Sequence, residues 1–231
     1  MRHFVGAACG LWVAAALPLQ AEPVVVVELF TSQGCASCPP ADEFLATLAK
    51  DARVIPLSLH VDYWDYIGWE DSFADPKFTE RQKAYARAIG SKMIYTPQMI
   101  VDGEERVEGY NPDELALHLG EHLAKPAQVT LTVERIGDLL VIRAEADPPL
   151  AAPVRVQLVR YRPEETVEIQ RGENEGKVVT YRNIVTSWDS IGDWAGTGPL
   201  EISALVAGPD PAVVIVQEAG PAAILAAART E

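Results

Sequence analysis

The stretch that decides the fold is Val24-Val25-Val26-Val27-Glu28-Leu29-Phe30-Thr31-Ser32-Gln33-Gly34-Cys35-Ala36-Ser37-Cys38-Pro39-Pro40-Ala41-Asp42. Val24 to Phe30 is apolar and β-branched except at Glu28, the pattern of a strand covered on both faces. Thr31 to Gly34 reads as a turn, and Pro39 and Pro40 stand where the first turn of a helix tolerates missing amide hydrogens. Ala41 to Lys50 then carries Phe44, Leu45 and Leu48 along one face, as an amphipathic helix does. Two cysteines separated by two residues thus fall between a buried strand and a helix.

Upstream lies a leader. Arg2 and His3 give a basic start, Phe4 to Leu19 is an apolar run, and Leu19-Gln20-Ala21 offers a small residue before a cut. Residues 1–21 are therefore expected to be a signal peptide, and the protein to be periplasmic or secreted with no membrane anchor after cleavage. Lipidation at Cys9 is the rival reading, weakened because only eight residues precede that cysteine. Cleavage removes Cys9 and leaves Cys35 and Cys38, which in an oxidising compartment form a disulfide or cycle between disulfide and dithiol. The 231 residues are 48% hydrophobic and 23% charged, an ordinary globular composition. The net charge of −14 argues against nucleic acid as a partner, since a polyanion is repelled.

Downstream, Val54 to Val61 reads as a second buried strand. An aromatic, acidic stretch follows, Asp62-Tyr63-Trp64-Asp65-Tyr66-Ile67-Gly68-Trp69, and then a helix from about Lys77 to Ile89. Gln98–Asp102 and Arg106–Glu108 flank Gly103-Glu104-Glu105 as a hairpin. Asn111 caps a helix that starts at Pro112 and runs to about Leu123. Beyond Pro126 the texture changes to short runs of partial alternation: 129–134, 139–144, 154–161, 167–170, 178–183, 200–207 and 213–217. Seven short strands without a long helix suggest a β-sandwich. The expected organisation is a domain over 22–125 and an all-β, sandwich-like domain over 126–231.

A cysteine pair at a helix start brings two sulfurs within bonding reach, and the amides of that turn favour a thiolate. Cys35 is expected to be the exposed nucleophile and Cys38 the shielded resolving thiol. The order strand, CxxC, helix, strand, helix, Thr96-Pro97, hairpin, helix resembles the thioredoxin superfamily over about Val24 to Leu123. That resemblance implies an α/β thioredoxin-like N-terminal domain and a cis-Pro97 beside the disulfide, with Thr96 in the substrate groove.

Further motifs narrow the likeness. Glu28 to Cys35, Pro39-Pro40-Ala41-Asp42, His60-Val61-Asp62-Tyr63-Trp64-Asp65, Tyr95-Thr96-Pro97-Gln98 and Arg171-Gly172-Glu173-Asn174 are together similar to the secreted DUF1223 family, which implies a fold and leaves activity open. The Ala36-Ser37 dipeptide differs from the pairs found in better-defined oxidoreductases.

Each feature has a competing reading. The CxxC is either redox-active or a structural disulfide; so short a loop restricts the unfolded chain little, which favours redox activity. Asp62 is either a proton acceptor for Cys38 or a loop cap. Tyr63 and Trp64, with Tyr66 and Trp69, form either a rim for unfolded polypeptide or core beneath a loop. Copper carriage by Cys35, Cys38 and His60 is the metal alternative, whereas zinc wants more ligands than two cysteines supply. His118 and His122 stand four apart on one helix, a chelating spacing that exposed histidines also show. The expected function is extracytoplasmic thiol–disulfide exchange with protein thiols or disulfides and a redox partner protein, needing no cofactor; a binding module with a permanent disulfide is the alternative.

Overall fold

A computed structural model describes residues 23–230. The expected leader, 1–21 with Cys9, lies outside the described residues. The first elements are β1 (Val25–Thr31), α1 (Pro39–Leu48), β2 (Val54–His60), a 3-10 turn at Asp65–Ile67, α2 (Pro76–Ala88), the hairpin β3 (Gln98–Val101) and β4 (Glu105–Glu108), and α3 (Pro112–Leu123). Proline begins each α-helix, and side chains cap two of them: Asp75 accepts from the Lys77 amide and Asn111 from that of Glu114. The later elements are all strands: β5 (Val129–Ile136), β6 (Leu139–Ala146), β7 (Val154–Glu168), β8 (Val178–Trp194), β9 (Leu200–Leu205), β10 (Ala212–Glu218) and β11 (Ile224–Arg229). No helix among the described residues is long and apolar enough to cross a membrane.

The expectation of a thioredoxin-like α/β domain followed by a separate β-sandwich is overturned by the sheet topology. Eight strands form one mixed sheet in the order β11-β10-β7-β8-β2-β1-β3-β4, so four strands from beyond Pro126 extend the sheet that β1 begins. Only β5, β6 and β9 form a second sheet. The join lies at the outer edge of β2, where Ser58 pairs with Ile184 in parallel and the Asn183 amide donates to the Pro56 carbonyl at 2.7 Å. A lone β2 edge would leave backbone groups unpaired, and β8 covers it. The molecule is mostly β, and its helices do not flank an independent sheet. The run 154–161 and the first two residues of 167–170 belong to the single strand β7, which ends at Glu168 and whose outer half is charged and lacks clean alternation. Residues 184–194 of β8 lack clean alternation too, and β11 is Ala-rich with few β-branched residues, so neither gave a strand signal.

The sheet curls until β11 returns to β1. The Ile224 amide donates to the Asp102 carbonyl at 2.7 Å, and the Arg229 guanidinium donates to the carbonyls of Ala52 and Val54. Gly103 permits this closure, because a Cβ there would lie 2.1 Å from the Ala222 carbonyl oxygen. Inside the curl, Phe30, Ile55 and Leu57 pack with Val159, Val213 and Ile215 and with Phe78 and Tyr85 of α2. On the outer face, α1 and α3 cover Val25, Val27 and Leu29, while the three-stranded sheet covers alternate residues of β7 and β10.

One buried ion pair spans this interior. Glu28 of β1 takes a bidentate contact from Arg81 of α2 at 2.6 and 2.7 Å and a third hydrogen bond from the Tyr85 hydroxyl at 2.6 Å. Arg81 also stacks on Trp188 of β8, 3.7 Å from the ring centre, and donates to Gln217 of β10.

Candidate functional site

β1 ends at Thr31 and the chain turns through Ser32 to Gly34 into the cysteines. Cys35 and Cys38 are joined, with Cα atoms 5.4 Å apart. The two prolines set the start of α1 at Pro39, which leaves Cys38 on the N-cap itself. Its carbonyl accepts from the amides of Ala41 and Asp42. Cys35, expected to be exposed, is 1% exposed, and Cys38 is fully buried. The Ser37 hydroxyl lies 3.4 Å from the Cys35 sulfur and donates to the Thr96 carbonyl, also at 3.4 Å. The Thr96–Pro97 peptide is cis, and the Ser37 hydrogen bond brings Thr96 to the cysteine turn.

The turn is bracketed from two directions. Trp64 Nε1 donates to the Thr96 hydroxyl at 2.7 Å and Trp69 Nε1 to the Gln33 side-chain carbonyl at 2.8 Å. Tyr63 is half-buried, its hydroxyl donating to Gln82, and burial pushes its phenol up to about 12. Trp64 and Trp69 therefore hold the loop to the turn and Tyr63 holds it to α2, while Tyr66, 82% exposed, faces solvent. From the opposite side the β7–β8 connection brings in Asn174, whose amide nitrogen donates to the carbonyls of Gln33 at 2.8 Å and Cys35 at 2.9 Å. Lys177 donates to the Asn174 side-chain oxygen.

Behind the disulfide, under α1, lies a buried polar group. Thr31, Ser58 and His60 occupy that face of the sheet and Asp42 faces them from α1. His60 Nδ1 is 2.7 Å from Asp71 Oδ2, an oxygen that also accepts from the Gln33 amide, so Nδ1 carries the proton. The ring packs edge-on against Phe73 and Tyr181. Burial raises Asp71, but His60 and the hydrogen bonds from Gln33 and Phe73 outweigh it and hold the carboxyl below its ordinary value. Asp42 is the reverse case. Burial lifts it to about 7 against the opposing pull of His60 and Thr31, and neither carboxyl oxygen has a hydrogen-bond partner of good geometry. The Thr31 and Ser58 hydroxyls and His60 Nε2 are also buried without partners.

Asp62, selected from the sequence as a proton acceptor, sits elsewhere: the Thr79 hydroxyl of α2 donates to it at 2.5 Å, and its own amide donates back to that hydroxyl. His60, the third residue of the copper alternative, is held to Asp71 through Nδ1, and the two sulfurs are held to each other. Asp42, Asp71 and Asn174 escaped the sequence reading as site residues. For Asp42 a signal existed, since an acid four residues after Cys38 and three before Leu45 falls on the apolar stripe of α1. Asn174 was marked only as part of a family motif, with no pointer to the carbonyls it bonds 139 to 141 positions away, and Asp71 had no signal toward Gln33, 38 positions away.

The family described as "Protein of unknown function (DUF1223)" matches residues 26–217. Among solved structures, the chain is similar to protein AGR_C_4864 from Agrobacterium tumefaciens, at 34% identity over 90% of this chain and 94% of that one, with a TM-score of 0.76. It shares its fold with HBP35 of Porphyromonas gingivalis, at 14% identity over 90% of this chain and 74% of that one, with a TM-score of 0.63. No curated protein matches the chain.

Proposed function

We propose that this chain, which belongs to the DUF1223 family, is an extracytoplasmic thiol–disulfide oxidoreductase in which Cys35 exchanges with protein substrates and Asp42 manages the proton of Cys38. The observation that carries the reading is the unpartnered Asp42 carboxyl. A structural disulfide draws no benefit from an unsatisfied buried acid, which costs a few kcal/mol or more to hold there. A dithiol that must lose and regain a proton in a dry interior does benefit from an acid near 7.

In the oxidising direction for the protein, the Cys35 thiolate attacks a substrate disulfide, forms a mixed disulfide and expels one substrate thiolate. Cys38 then passes its proton to Asp42 and attacks the Cys35 sulfur, expelling the second substrate thiolate. One substrate disulfide becomes two thiols and the protein dithiol becomes a disulfide; the reverse sequence oxidises a substrate. Cys35 is assigned the exchanging role because its sulfur contacts the exposed Ser37 whereas Cys38 lies on the N-cap of α1, and at 1% exposure it requires the turn to open for a substrate to reach it. In the reduced protein the Ser37 hydroxyl favours a Cys35 thiolate by turning its one proton from the Thr96 carbonyl to the sulfur.

The test is a redox titration of the oxidised protein against a glutathione or dithiothreitol buffer, with trapping variants. An exchanging pair has a potential above about −230 mV, whereas a value below about −300 mV marks a permanent bond. Cys38→Ala is expected to accumulate mixed disulfides on a non-reducing gel and Cys35→Ala to trap almost none. A resistant disulfide together with an empty Cys38→Ala lane overturns the proposal.

A further inference from the structure

On the far side of α3, remote from the cysteines in sequence, four side chains converge. His122, in the last turn of α3, has a side chain only 3% exposed, and each ring nitrogen meets a carboxylate. Nδ1 lies 3.1 Å from Asp102 Oδ2, while the other oxygen of Asp102 accepts from the Val26 amide at 2.8 Å, which fixes the acid to β1. Nε2 is thereby aimed at the β3–β4 turn, where it contacts Glu105 and lies 3.9 Å from Glu104 Oε2. One donor atom from each of Glu104, Glu105 and His122 falls within 4.8 Å of the others. Asp102, Glu104 and His122 border a cavity lined also by Lys125, Gln128 and Val24.

We infer that Glu104, Glu105 and Nε2 of His122 form a binding site for a divalent transition ion of the zinc class, with Asp102 as the carboxylate that orients the imidazole. The donor set fits such an ion: one imidazole and two carboxylates bind at about 2.0–2.2 Å and leave a fourth position for water from the cavity. A carboxylate on the non-ligating ring nitrogen is the usual support for a metal-bound histidine, because it fixes the tautomer and the ring. Charge points the same way. Three carboxylates face one imidazole and the half-exposed Lys125 ammonium, 3.1 Å from Glu104, so a dication balances the group better than a proton on His122. On binding, Nε2 releases its proton to solvent and Lys125 swings off Glu104. His118, the other member of the helical pair, contacts Glu121 and takes no part. The site would tie the β3–β4 turn to the end of α3, next to the point where β11 closes on Asp102.

The test uses tag-free full chain with the Cys35–Cys38 disulfide intact, so that no thiolate competes, titrated with zinc chloride by calorimetry at neutral pH. One equivalent is expected to bind, with a melting temperature that rises with zinc concentration. Glu105→Gln, at the accessible rim and checked for folding by circular dichroism, should weaken binding by roughly tenfold or more, and His122→Gln should abolish it. Lys125→Ala should tighten it. No zinc bound by the wild type at roughly 100 µM, or unchanged binding in both folded ligand variants, overturns the inference. Equal competition by calcium overturns the imidazole as a ligand, because calcium selects oxygen donors.

Discussion

Among the buried carboxylates of the described residues, Glu28 on β1 and Asp42 on α1, 0% and 3% exposed, are treated in opposite ways. Glu28 is saturated by Arg81 and Tyr85 and lies where β1, α2 and β10 meet. Asp42 has no hydrogen-bond partner of good geometry, only the weaker pull of His60 and Thr31, and lies one turn beyond Cys38. A paired charge inside a protein is held as an ion by its neighbours and fixes their geometry; an unpaired acid is held neutral by burial and changes charge near neutrality. The difference separates a carboxylate that joins the two halves of the sheet from one available for proton transfer.

The largest effect is expected on the paired side. Arg81→Ala leaves Glu28 buried without its counter-charge and should cost about 3–5 kcal/mol in urea unfolding. A loss below about 1 kcal/mol would mean that the Arg81–Glu28 contact carries little of the interior's stability, and the contrast would fail.

The next effect is a slope with pH. Asp42 titrates at about 7 in the folded chain against 3.8 for a free carboxyl, so between these values the folded state keeps a proton that the unfolded state has lost. Its contribution to stability is therefore full at low pH, declines as pH rises from about 4, and levels off above about 7, a total of roughly 4 kcal/mol. Asp42→Asn removes that decline and should make the variant more stable than wild type at pH about 8, measured by urea unfolding against pH. Parallel curves for the two proteins would show that Asp42 is hydrated.

A smaller effect is expected at the bracket. Asn174→Ala strips the Gln33 and Cys35 carbonyls of their shared donor and should cost about 1–3 kcal/mol. It should also speed reduction of the disulfide by a small thiol, because the turn that covers Cys35 loses its hold. A stability loss without faster reduction would make Asn174 purely structural.

Local elements were legible because local physics sets them. The helix at Pro112–Leu123, capped by Asn111, and the β3–β4 hairpin about Gly103 stand within a residue or so of their sequence-derived places. The cysteine turn with Thr96-Pro97 beside it was also readable. The joined sheet was not, since nothing near Ser58 indicates Ile184 as its neighbour and the charged outer half of β7 obscures a single long strand. The surroundings of Asp62 were not legible for a related reason: it follows the second strand in sequence, yet its carboxyl turns to Thr79 of α2.

The sequence by itself determined the cysteine pair, the strand before it and the helix after it, because proline, glycine, capping side chains and apolar spacing act over a few residues. Tertiary structure decided the rest. It merged the later strands into the first sheet, covered a cysteine expected to be open, and left Asp42 without a partner while supplying three donor groups to Glu28 and its ion pair. Pairing, burial and the charge state of an acid depend on which distant groups arrive, and a chain read in order does not carry that information.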